Sequence, residues 1–453
     1  MKRRHFLKIG TLGTIVSVTG QSLIGAPTDS ADPSVVREPA IDIPVVEHND
    51  VVVCGGGPAG ISAAIAAARH GARVRLIEVQ GALGGVWTAG MVNLILDSKG
   101  KSGLVAEILG ELKKTRAQRD PGMFDVEAMK LVLENLCRAT GVQLLYHSRV
   151  VGAVQDGRRI THTIVENKSG RQAFAAQAFV DTTGDGDLAA RAGCGFELGH
   201  PVTGKTQPMS MIALLGGVEY KPLNARKLVR GDGVGSHESK AAFLAELRRA
   251  GVSPSYQSPT LFCIRHNHFA MMANHQYGVS ALDAQQVTDA TVAGRAEIHT
   301  IVDALRRLGG IWKNLRLLAT SSHIGVREAR RIHGRYTLTK NDLLHGTRFV
   351  DAVCRAAFSV DIHALDPDHA GGSFTNQGVK VIPYDIPLRA LIAKDTDGLL
   401  MAGRCASGDF FAHASYRVTG NAVPMGQAAG RTAAQAALTG RLPHEIRIDE
   451  IRG

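Results

Sequence analysis

The clearest pattern of apolar and polar positions lies between residues 51 and 77. A short apolar run at 51–54 is followed by glycines, then by an alanine-rich stretch at 61–70 and by a second strand-like stretch at 72–77, in which two arginines alternate with apolar residues. Short continuous apolar runs predict strands that are buried on both faces, and the alanine-rich stretch predicts a helix. The order of strand, helix and strand predicts a parallel βαβ unit of an α/β fold.

The glycines between the first strand and the helix form a G-x-G-x-x-G pattern at residues 55–60. The first glycine permits a tight turn, the second lets the backbone approach a pyrophosphate, and the third lets helix and strand pack closely. The second strand ends at Glu78, whose carboxylate is placed to accept hydrogen bonds from a ribose. We therefore expect a dinucleotide to bind the following residues: Gly55, Gly57, Pro58, Ala59, Gly60 and Glu78.

A second glycine-rich segment, residues 81–90, resembles the second glycine motif of FAD enzymes related to fumarate reductase and succinate dehydrogenase. It resembles more closely a broad bacterial family of FAD-dependent oxidoreductases, and this similarity covers residues 48–440. The resemblance implies FAD as cofactor and a Rossmann-like FAD-binding domain with an inserted β-meander, which fits the β-rich runs at 159–166 and 172–178. It also implies a second, α+β domain that caps the flavin.

The resemblance extends to particular residues. A glycine pair at 84–85 brings backbone against the flavin side of the cofactor, and an alanine-rich helix at 422–437 points its N-terminus at the flavin pyrimidine. A helix N-terminus carries partial positive charge, and reduced flavin is anionic near N1. The cofactor-binding residues implied in this way are Gly84, Gly85, Thr88, Val150, Gly184, Asp185, Gly403, Arg404 and Asn421.

Relatives that bind FAD covalently have a histidine just after the acid that binds the ribose. Residues 79–83 of this chain contain no histidine. We therefore expect FAD to be bound without a covalent link, at least at this point.

The N-terminus has the pattern of an export signal. Arg3 and Arg4 precede a mildly apolar stretch at 9–24 and the small residues at 25–26. Such a charged start, apolar middle and small-residue end are typical of a signal peptide, and the paired arginines indicate the twin-arginine route. The stretch falls short of the roughly 20 apolar residues that a membrane span needs. We expect a periplasmic or secreted protein that the export machinery moves already folded around its flavin.

The expected organisation has six parts, with the cap inserted into the FAD-binding domain. These are a leader at 1–26, a linker at 27–47, FAD-binding parts at 48–199 and 381–445, a substrate or cap domain at 200–380, and a tail at 446–453. The formal charge is +11, and removal of the four positive charges of the leader leaves +7. A modest positive field favours anionic ligands. The basic run at 327–335 has no interleaved aromatic residues, so it does not indicate nucleic-acid binding.

The cap and its border carry the polar side chains that flavin chemistry requires. Hydride transfer needs a group that exchanges a proton with the substrate and cations that hold an acidic substrate. Arg327, Arg330 and Arg331 would share one face if this segment is a helix. That face would hold an acidic substrate, or it would be a solvated stripe in which Glu328 pairs with Arg331. The candidate catalytic residues are His413, Arg417, Tyr416, His363 and Arg327, and for His413 a structural role is equally compatible.

The remaining histidines and the cysteines do not indicate a metal or disulfide redox site. His266, His268 and His275 are loosely spaced, which favours scattered surface or strand positions over a metal site. The six cysteines contain no C-x-x-C, which argues against a dithiol redox pair and a zinc knuckle. Pairing among them in an oxidising compartment stays open.

These features predict an exported FAD-dependent oxidoreductase, a dehydrogenase or oxidase, that takes hydride from a small polar substrate such as a hydroxy or amino compound. Electrons would pass to oxygen, a quinone or a redox protein, and no second G-x-G-x-x-G is visible for a nicotinamide nucleotide. The first alternative is a fumarate-reductase-like enoate reductase. The second is an electron-transfer flavoprotein subunit without a small substrate of its own. A halogenase or aromatic hydroxylase is disfavoured because the chain has no Trp-x-Trp sequence.

Overall fold

The structure is a computed structural model that describes residues 34–36, 38–117, 122–230, 234–265, 267–368 and 373–452. The chain divides into two compact units, residues 1–42 and residues 43–453. The predicted leader lies outside the described residues, and the described residues of the first unit contain no helix or strand. Within the described ranges, no helix is both long and apolar enough to cross a membrane.

The second unit contains all the regular elements of the described residues. Its strands are β1 (Val45–Cys54), β2 (Val74–Ile77), β3 (Gln143–Leu145), β4 (Arg149–Asp156), β5 (Arg159–Asn167), β6 (Gly170–Asp181), β7 (Phe196–Glu197), β8 (Ile212–Gly216), β9 (Thr260–Arg265), β10 (His268–Met272), β11 (Arg316–Thr320), β12 (Arg331–Ile332), β13 (Ala352–Ala356), β14 (Ile362–His363), β15 (Phe374–Thr375), β16 (Tyr384–Pro387) and β17 (Leu399–Met401). Its helices are α1 (Pro58–Arg69), α2 (Leu104–Lys114), α3 (Val126–Ala139), α4 (Asp187–Arg191), α5 (Tyr220–Ala225), α6 (Ser236–Arg249), α7 (Ala284–Arg307), α8 (Lys340–His345), α9 (Phe410–Tyr416) and α10 (Thr419–Thr439).

A seven-stranded sheet has the order β3-β2-β1-β6-β5-β4, with β17 added beside β6. β1 runs parallel to both of its neighbours, β2 and β6. Val53 of β1 lies opposite Leu76 of β2 and Val180 of β6. β6 pairs along its first half with antiparallel β5 and at its end with parallel β17. The predicted Rossmann-like α/β fold with its β-meander is therefore confirmed. The carboxyl ends of its parallel strands meet at one edge, where this class of sheet binds ligands.

β1 begins at Val45, so its first three residues lie in the stretch predicted as a linker. The reason is that Glu47 lies opposite Phe174 in the sheet and its carboxylate accepts a hydrogen bond of 2.7 Å from Arg75. These contacts extend the strand into a stretch whose composition is that of a linker.

Two glycines of α10 bring this helix into close contact with α1. A Cβ at Gly426 would lie 2.0 Å from the carbonyl oxygen of Ala59, and one at Gly430 would lie 2.1 Å from that of Ala63. The equal spacing of four residues on both helices shows that they run in the same direction. Residues 419–425 of α10 consequently project beyond the start of α1 by about 10 Å, at 1.5 Å per residue.

The predicted cap contains a four-stranded antiparallel sheet, β11-β8-β10-β9. Leu215 and Phe269 on one face pack against Phe243 of α6 and form a separate hydrophobic core. The opposite face is also apolar: its members pack together with Met91 and Val92, which follow the second glycine segment. That face consists of Ile212, Leu214, Phe262, Ile264, Ala270 and Met272.

Residues 323–332 do not form the helix on which a shared face of Arg327, Arg330 and Arg331 depended. The segment is irregular up to β12, because Gly325 and Ser210 exchange backbone hydrogen bonds of 2.8 and 3.1 Å across neighbouring chain segments. Glu328 does pair with Arg331, at 2.5 Å, but both side chains are buried rather than solvated. The basic stripe on a helix face therefore does not exist.

Candidate functional site

The three motif glycines have different surroundings. Gly55 has a φ of +101°, and a Cβ there would lie 2.4 Å from the carbonyl oxygen of Thr182. A Cβ at Gly60 would lie 1.7 Å from the Gly55 carbonyl oxygen, whereas no described heavy atom lies within 4 Å of a Cβ at Gly57. The first and third glycines are thus required by close packing. The second leaves open space at the start of α1, where a pyrophosphate would approach.

The start of α1 has backbone donors left for an anion. Gly57 is the N-cap, and none of the described side chains caps the helix. Pro58 has no N–H, so the first free donors are those of Ala59 and Gly60. Gly403, with a φ of +84°, packs against the same turn, since a Cβ there would lie 3.1 Å from that of Ala59. A helix start with this arrangement is suited to phosphate.

Glu78 lies beside this loop with a buried carboxylate. It accepts hydrogen bonds from the N–H groups of Gly56 at 2.5 Å and Gln80 at 2.7 Å. Burial raises the pKa of Glu78, and the two hydrogen bonds oppose the shift. Each carboxylate oxygen keeps a further acceptor position, which suits a ribose hydroxyl. Val150, expected near the adenine, is half-buried in β4 opposite Val165.

The second glycine segment packs directly on the first. Gly84 has a φ of +109°, and a Cβ at Gly85 would lie 3.1 Å from the Cα of Gly57. Thr88 is buried, and its hydroxyl donates to the Leu83 carbonyl at 2.5 Å. Its proton is therefore used within the loop, and a contact of Thr88 with the cofactor would use its methyl group or its free lone pair.

Gly184, Asp185 and Arg404 form one contact after β6 and β17. The Nη1 of Arg404 lies 2.7 Å from Oδ1 of Asp185, and a Cβ at Gly184 would lie 2.8 Å from Nη2 of the arginine. The preceding Asp181 is buried, and its carboxylate accepts the N–H of Ala189 at 2.8 Å. Burial raises the pKa of Asp181 to about 6. This group of side chains fixes the loops at the carboxyl edge of the sheet.

Asn421, in the first turn of α10, is fully buried, and neither polar atom of its amide has a hydrogen-bond partner among the described residues. Such an unpaired group costs about 1–3 kcal/mol, which a ligand with donors and acceptors would remove. No described side chain caps α10 either. Because the starts of α10 and α1 are about 10 Å apart along the helix axis, a ligand that reaches both has to be elongated.

Arg417, directly before α10, belongs to a cluster of buried and half-buried polar groups. Its Nη2 donates to the Asp361 carbonyl at 2.8 Å and lies 3.7 Å from the Asp361 carboxylate. The same nitrogen donates to Oε1 of Gln207 at 3.1 Å, and Nη1 donates to the Arg327 carbonyl at 3.1 Å. The Asp361 carboxylate also lies 3.3 Å from Nε2 of His363.

Arg327 enters this cluster from the irregular segment that precedes β12. Its Nη1 donates to the Pro208 carbonyl at 2.7 Å and to the Ser210 hydroxyl at 2.8 Å. Nε of Arg417 and the amide nitrogen of Gln207 have no hydrogen-bond partner in the described part of the chain. The cluster thus has two guanidinium groups, one carboxylate and unused donors, an arrangement that suits a small anionic or acceptor-rich molecule.

The electrostatics of the cluster keep the imidazole of His363 neutral. Burial, reinforced by Arg327, lowers the pKa of His363 to about 4, while Asp361 opposes the shift. Burial acts to raise the pKa of Asp361, but His363, Arg417 and Arg327 together hold it below its usual range. Burial lowers the pKa of Arg327 to about 10. At neutral pH the cluster therefore holds a neutral imidazole, a carboxylate and charged arginines.

Three of the five predicted catalytic residues, Arg327, His363 and Arg417, come together in this cluster. His413 and Tyr416 do not join it through any hydrogen bond of the described residues. Nε2 of His413 lies 3.1 Å from the Arg404 carbonyl oxygen, and the Tyr416 hydroxyl donates to the Ala406 carbonyl at 2.6 Å. Burial lowers the pKa of His413 and raises that of Tyr416, so both stay neutral.

Asp361 was not predicted from the sequence as a site residue. Asp361 lies two positions before His363, a spacing that places both side chains on one side of an extended segment. The spacing of Asp361 and His363 could therefore have indicated that both side chains belong to one site.

His275 was expected at a scattered position, but it is buried, and its Nε2 lies 3.0 Å from Nδ1 of His363. His268 is half-buried on β10, and His266 lies outside the described residues. Within the described ranges, no three His, Cys, Asp or Glu side chains are grouped to hold a metal ion. All six cysteines are free thiols, and five of them are buried.

The sequence profile of the family described as FAD dependent oxidoreductase matches residues 50–453. The chain belongs to this family. It is therefore an FAD-dependent oxidoreductase, and the cofactor fits the structure: the open space at Gly57 and the uncapped start of α1 suit the pyrophosphate. The unpaired amide of Asn421 at the distant start of α10 suits the flavin ring.

Other similarities are partial or distant. A soluble pyridine nucleotide transhydrogenase of Chromohalobacter salexigens is 35% identical over 147 residues, which are 30% of this chain and only 31% of that relative. A flavin-dependent brominase is 13% identical, with a TM-score of 0.46, over 86% of this chain and 80% of its own. A p-nitrophenol 4-monooxygenase of Pseudomonas putida is 11% identical, with a TM-score of 0.43, over 87% and 80%. Similarities this distant do not indicate a reaction.

Proposed function

We propose that this enzyme is an exported FAD-dependent dehydrogenase or oxidase that oxidises a small polar molecule, such as a hydroxy or amino compound. The proposal depends mainly on the cluster of Arg327, Arg417, Asp361 and His363. Arg417 lies two residues before α10, the helix expected to face the flavin. Bound FAD would supply the acceptor for a hydride from substrate carbon. The protein has to remove the proton from the neighbouring oxygen or nitrogen.

His363 is the group we assign to that proton. Its imidazole is neutral at physiological pH because burial lowers its pKa, and Asp361 stabilises the protonated ring once it forms. Arg327 and the free donors of Gln207 and Arg417 would hold a carboxylate or another acceptor group of the substrate. The arrangement therefore favours a substrate in which an alcohol or amine carbon lies next to an anionic group.

The test is anaerobic mixing of the purified leaderless holoenzyme with a panel of hydroxy acids, amino acids, sugars, amines and steroids, followed by flavin absorbance near its visible maximum. We expect a hydroxy or amino compound to bleach the flavin. His363→Asn should bleach far more slowly with the same compound, while photochemical reduction of its flavin proceeds as in the wild type. If no compound bleaches the flavin but a reduced redox protein does, the electron-transfer subunit replaces our proposal.

A second candidate, reduction of an enoate, is favoured by the two arginines, because an enoate substrate carries a carboxylate that guanidinium groups bind well. Reoxidation of the pre-reduced enzyme by fumarate, faster than by buffer alone, would favour this candidate. The similarity to a protein named as a pyridine nucleotide transhydrogenase also calls for NADH and NADPH in the panel. Bleaching by either would mean that the donor is a nicotinamide nucleotide.

We also propose that FAD is bound without a covalent link and that the protein leaves the cytoplasm by the twin-arginine route, with oxygen, a quinone or a redox protein as electron acceptor. The support is the absence of histidine from residues 79–83 and the Arg3-Arg4 leader. Acid precipitation should release yellow flavin into the supernatant. Replacement of both arginines by lysine should retain the protein in the cytoplasm, whereas export of that variant would contradict the assigned route.

A further inference from the structure

A row of side chains connects the cluster at Asp361 with a half-buried tyrosine of the cap. Nδ1 of His363 lies 3.0 Å from Nε2 of His275, and Nδ1 of His275 lies 3.1 Å from the hydroxyl of Tyr277. The Tyr277 hydroxyl in turn lies 2.9 Å from the carbonyl oxygen of Ser255. His363 and His275 are buried, whereas Tyr277 is only half-buried. Each step has the length of a hydrogen bond.

The last hydrogen bond in the row determines the direction of the others. A carbonyl oxygen only accepts, so Tyr277 donates its proton to Ser255. The Tyr277 oxygen must then accept from Nδ1–H of His275, which leaves Nε2 of His275 as an acceptor. Nε2 of His275 consequently accepts Nδ1–H of His363. Burial keeps the pKa of His275 well below its ordinary value, so this ring has only one proton.

These hydrogen-bond directions leave one ring nitrogen, Nε2 of His363, without a proton. Nε2 of His363 carries a lone pair in this tautomer and faces the Asp361 carboxylate at 3.3 Å, so two acceptors oppose each other. A single added proton at this nitrogen converts the repulsion into a charged hydrogen bond. The end of the row that adjoins Arg417 is therefore built to take up one proton.

We propose that His275 and Tyr277 carry the proton taken from the substrate out of the active site. The inference rests on the proposed function, in which the C–H bond breaks with transfer of hydride to FAD. The O–H or N–H bond breaks with transfer of its proton to Nε2 of His363. The proton on Nδ1 of His363 then passes to Nε2 of His275, and that on Nδ1 of His275 passes to the Tyr277 oxygen. The original phenol proton of Tyr277 leaves to solvent, so one proton enters the row and one leaves it in each passage.

The surroundings of Tyr277 favour this exit. Glu297 accepts the N–H of Ser255 at 2.7 Å and its hydroxyl at 2.7 and 2.8 Å. The Ser255 hydroxyl also accepts the N–H of His275 at 2.8 Å, which holds the histidine in line. Burial raises the pKa of the Tyr277 phenol, and the carboxylate of Glu297 adds to this shift, so the tyrosine passes protons without becoming an anion. Negative charge at the outer end also attracts the departing proton.

The decisive experiment needs no substrate. In the leaderless holoenzyme labelled with ¹⁵N-histidine, we expect His275 to show the Nδ1–H tautomer. We also expect the ring proton of His363 to exchange with solvent at least about tenfold faster than in Tyr277→Phe, since a tenfold change in rate corresponds to a modest barrier difference. The matched control is Tyr220→Phe, which removes a cap hydroxyl bonded to Asn224 and outside the row. Equal exchange rates in the wild type and Tyr277→Phe would overturn the proposal.

A second measurement separates this proposal from the proposed function. With a metabolite that bleaches the flavin, Tyr277→Phe should lower the bleaching rate by about 10- to 100-fold, in the range of general acid–base effects. The solvent deuterium isotope effect should rise, with little change in substrate affinity. If no metabolite bleaches the wild type, the proposed function fails, while the exchange rates still decide whether the row conducts protons. Bleaching of Tyr277→Phe at the wild-type rate would contradict proton transfer through the row and would leave the proposed function intact.

Discussion

Gly426 of α10 lies against the carbonyl oxygen of Ala59 in α1, so closely that a Cβ at position 426 would be 2.0 Å from this oxygen. Ala59 is also the first residue of α1 with a free N–H at the predicted pyrophosphate position. This contact, together with that of Gly430 and Ala63, sets the distance between the helix start that suits the phosphates and the one that suits the flavin ring. The fit of FAD therefore depends on Gly426, which is not among the residues predicted to contact the cofactor.

The first prediction concerns this contact. Gly426→Ala should force the two helices apart, with a loss of about 1–3 kcal/mol typical of overpacking, and should weaken FAD binding. Thermal unfolding and calorimetric titration of the deflavinated protein with FAD measure the two effects. The control is Gly110→Ala in α2, where no described heavy atom lies within 4 Å of an added Cβ. That change should stabilise the protein by about 0.5–1 kcal/mol. Normal FAD affinity of Gly426→Ala would contradict the prediction.

The second prediction concerns Glu78. Glu78→Gln keeps an acceptor for one backbone N–H but loses the charge that strengthens hydrogen bonds from ribose hydroxyls. We expect FAD to bind roughly 10- to 100-fold more weakly, because hydrogen bonds to charged groups contribute about 1.5–3 kcal/mol. Calorimetry of the deflavinated protein provides the measurement, with Glu166→Gln on the exposed part of β5 as control. An unchanged dissociation constant for Glu78→Gln would exclude the ribose contact.

The FAD-binding part could be predicted from sequence because its determinants are local. Gly55, Gly57, Gly60 and Glu78 lie in one βαβ unit, where short apolar runs and glycine spacing determine both the elements and the ligand position. The roles of the first and third glycines follow from backbone contacts within that unit and with the neighbouring strand.

The polar cluster could not be predicted in the same way. Gln207, His275 and Asp361 meet only because separate segments of the cap fold back toward Arg417. The spacing of Glu328 and Arg331 fits a helix and also fits the irregular segment that the structure contains, so the pattern alone did not distinguish them. The segment is irregular because Gly325 pairs with Ser210, which lies more than one hundred residues away in the chain.

The third prediction is the titration of His363. Burial and Arg327 lower its pKa from the ordinary 6.5 to about 4. The unfolded chain therefore binds the proton first, and the contribution to stability is complete above pH 6.5 and is lost as the pH falls from 6.5 towards 4.

Two variants should shift the pKa of His363 in opposite directions. Arg327→Met removes a nearby positive charge and should raise the pKa of His363, whereas Asp361→Asn should lower it further. NMR of ¹⁵N-labelled histidine follows the ring directly. Arg295→Met, on the exposed side of α7, is the control and should leave the titration unchanged. A pKa near 6.5 in the wild type would mean that His363 is exposed to solvent in the folded protein.

The fourth prediction is that one substitution, Asn421→Leu, stabilises the FAD-free protein and weakens the binding of FAD. Asn421 is buried at the start of α10 without a hydrogen-bond partner among the described residues, so Asn421→Leu should stabilise the FAD-free protein by about 1–3 kcal/mol. The same change removes the amide that we expect to contact the flavin ring, and FAD should bind more weakly. Thr432→Val is the matched control, because among the described residues the Thr432 hydroxyl bonds only within the helix, to the Ala428 carbonyl at 2.9 Å. If Asn421→Leu gains stability and binds FAD as tightly as the wild type, the flavin ring does not lie at the start of α10.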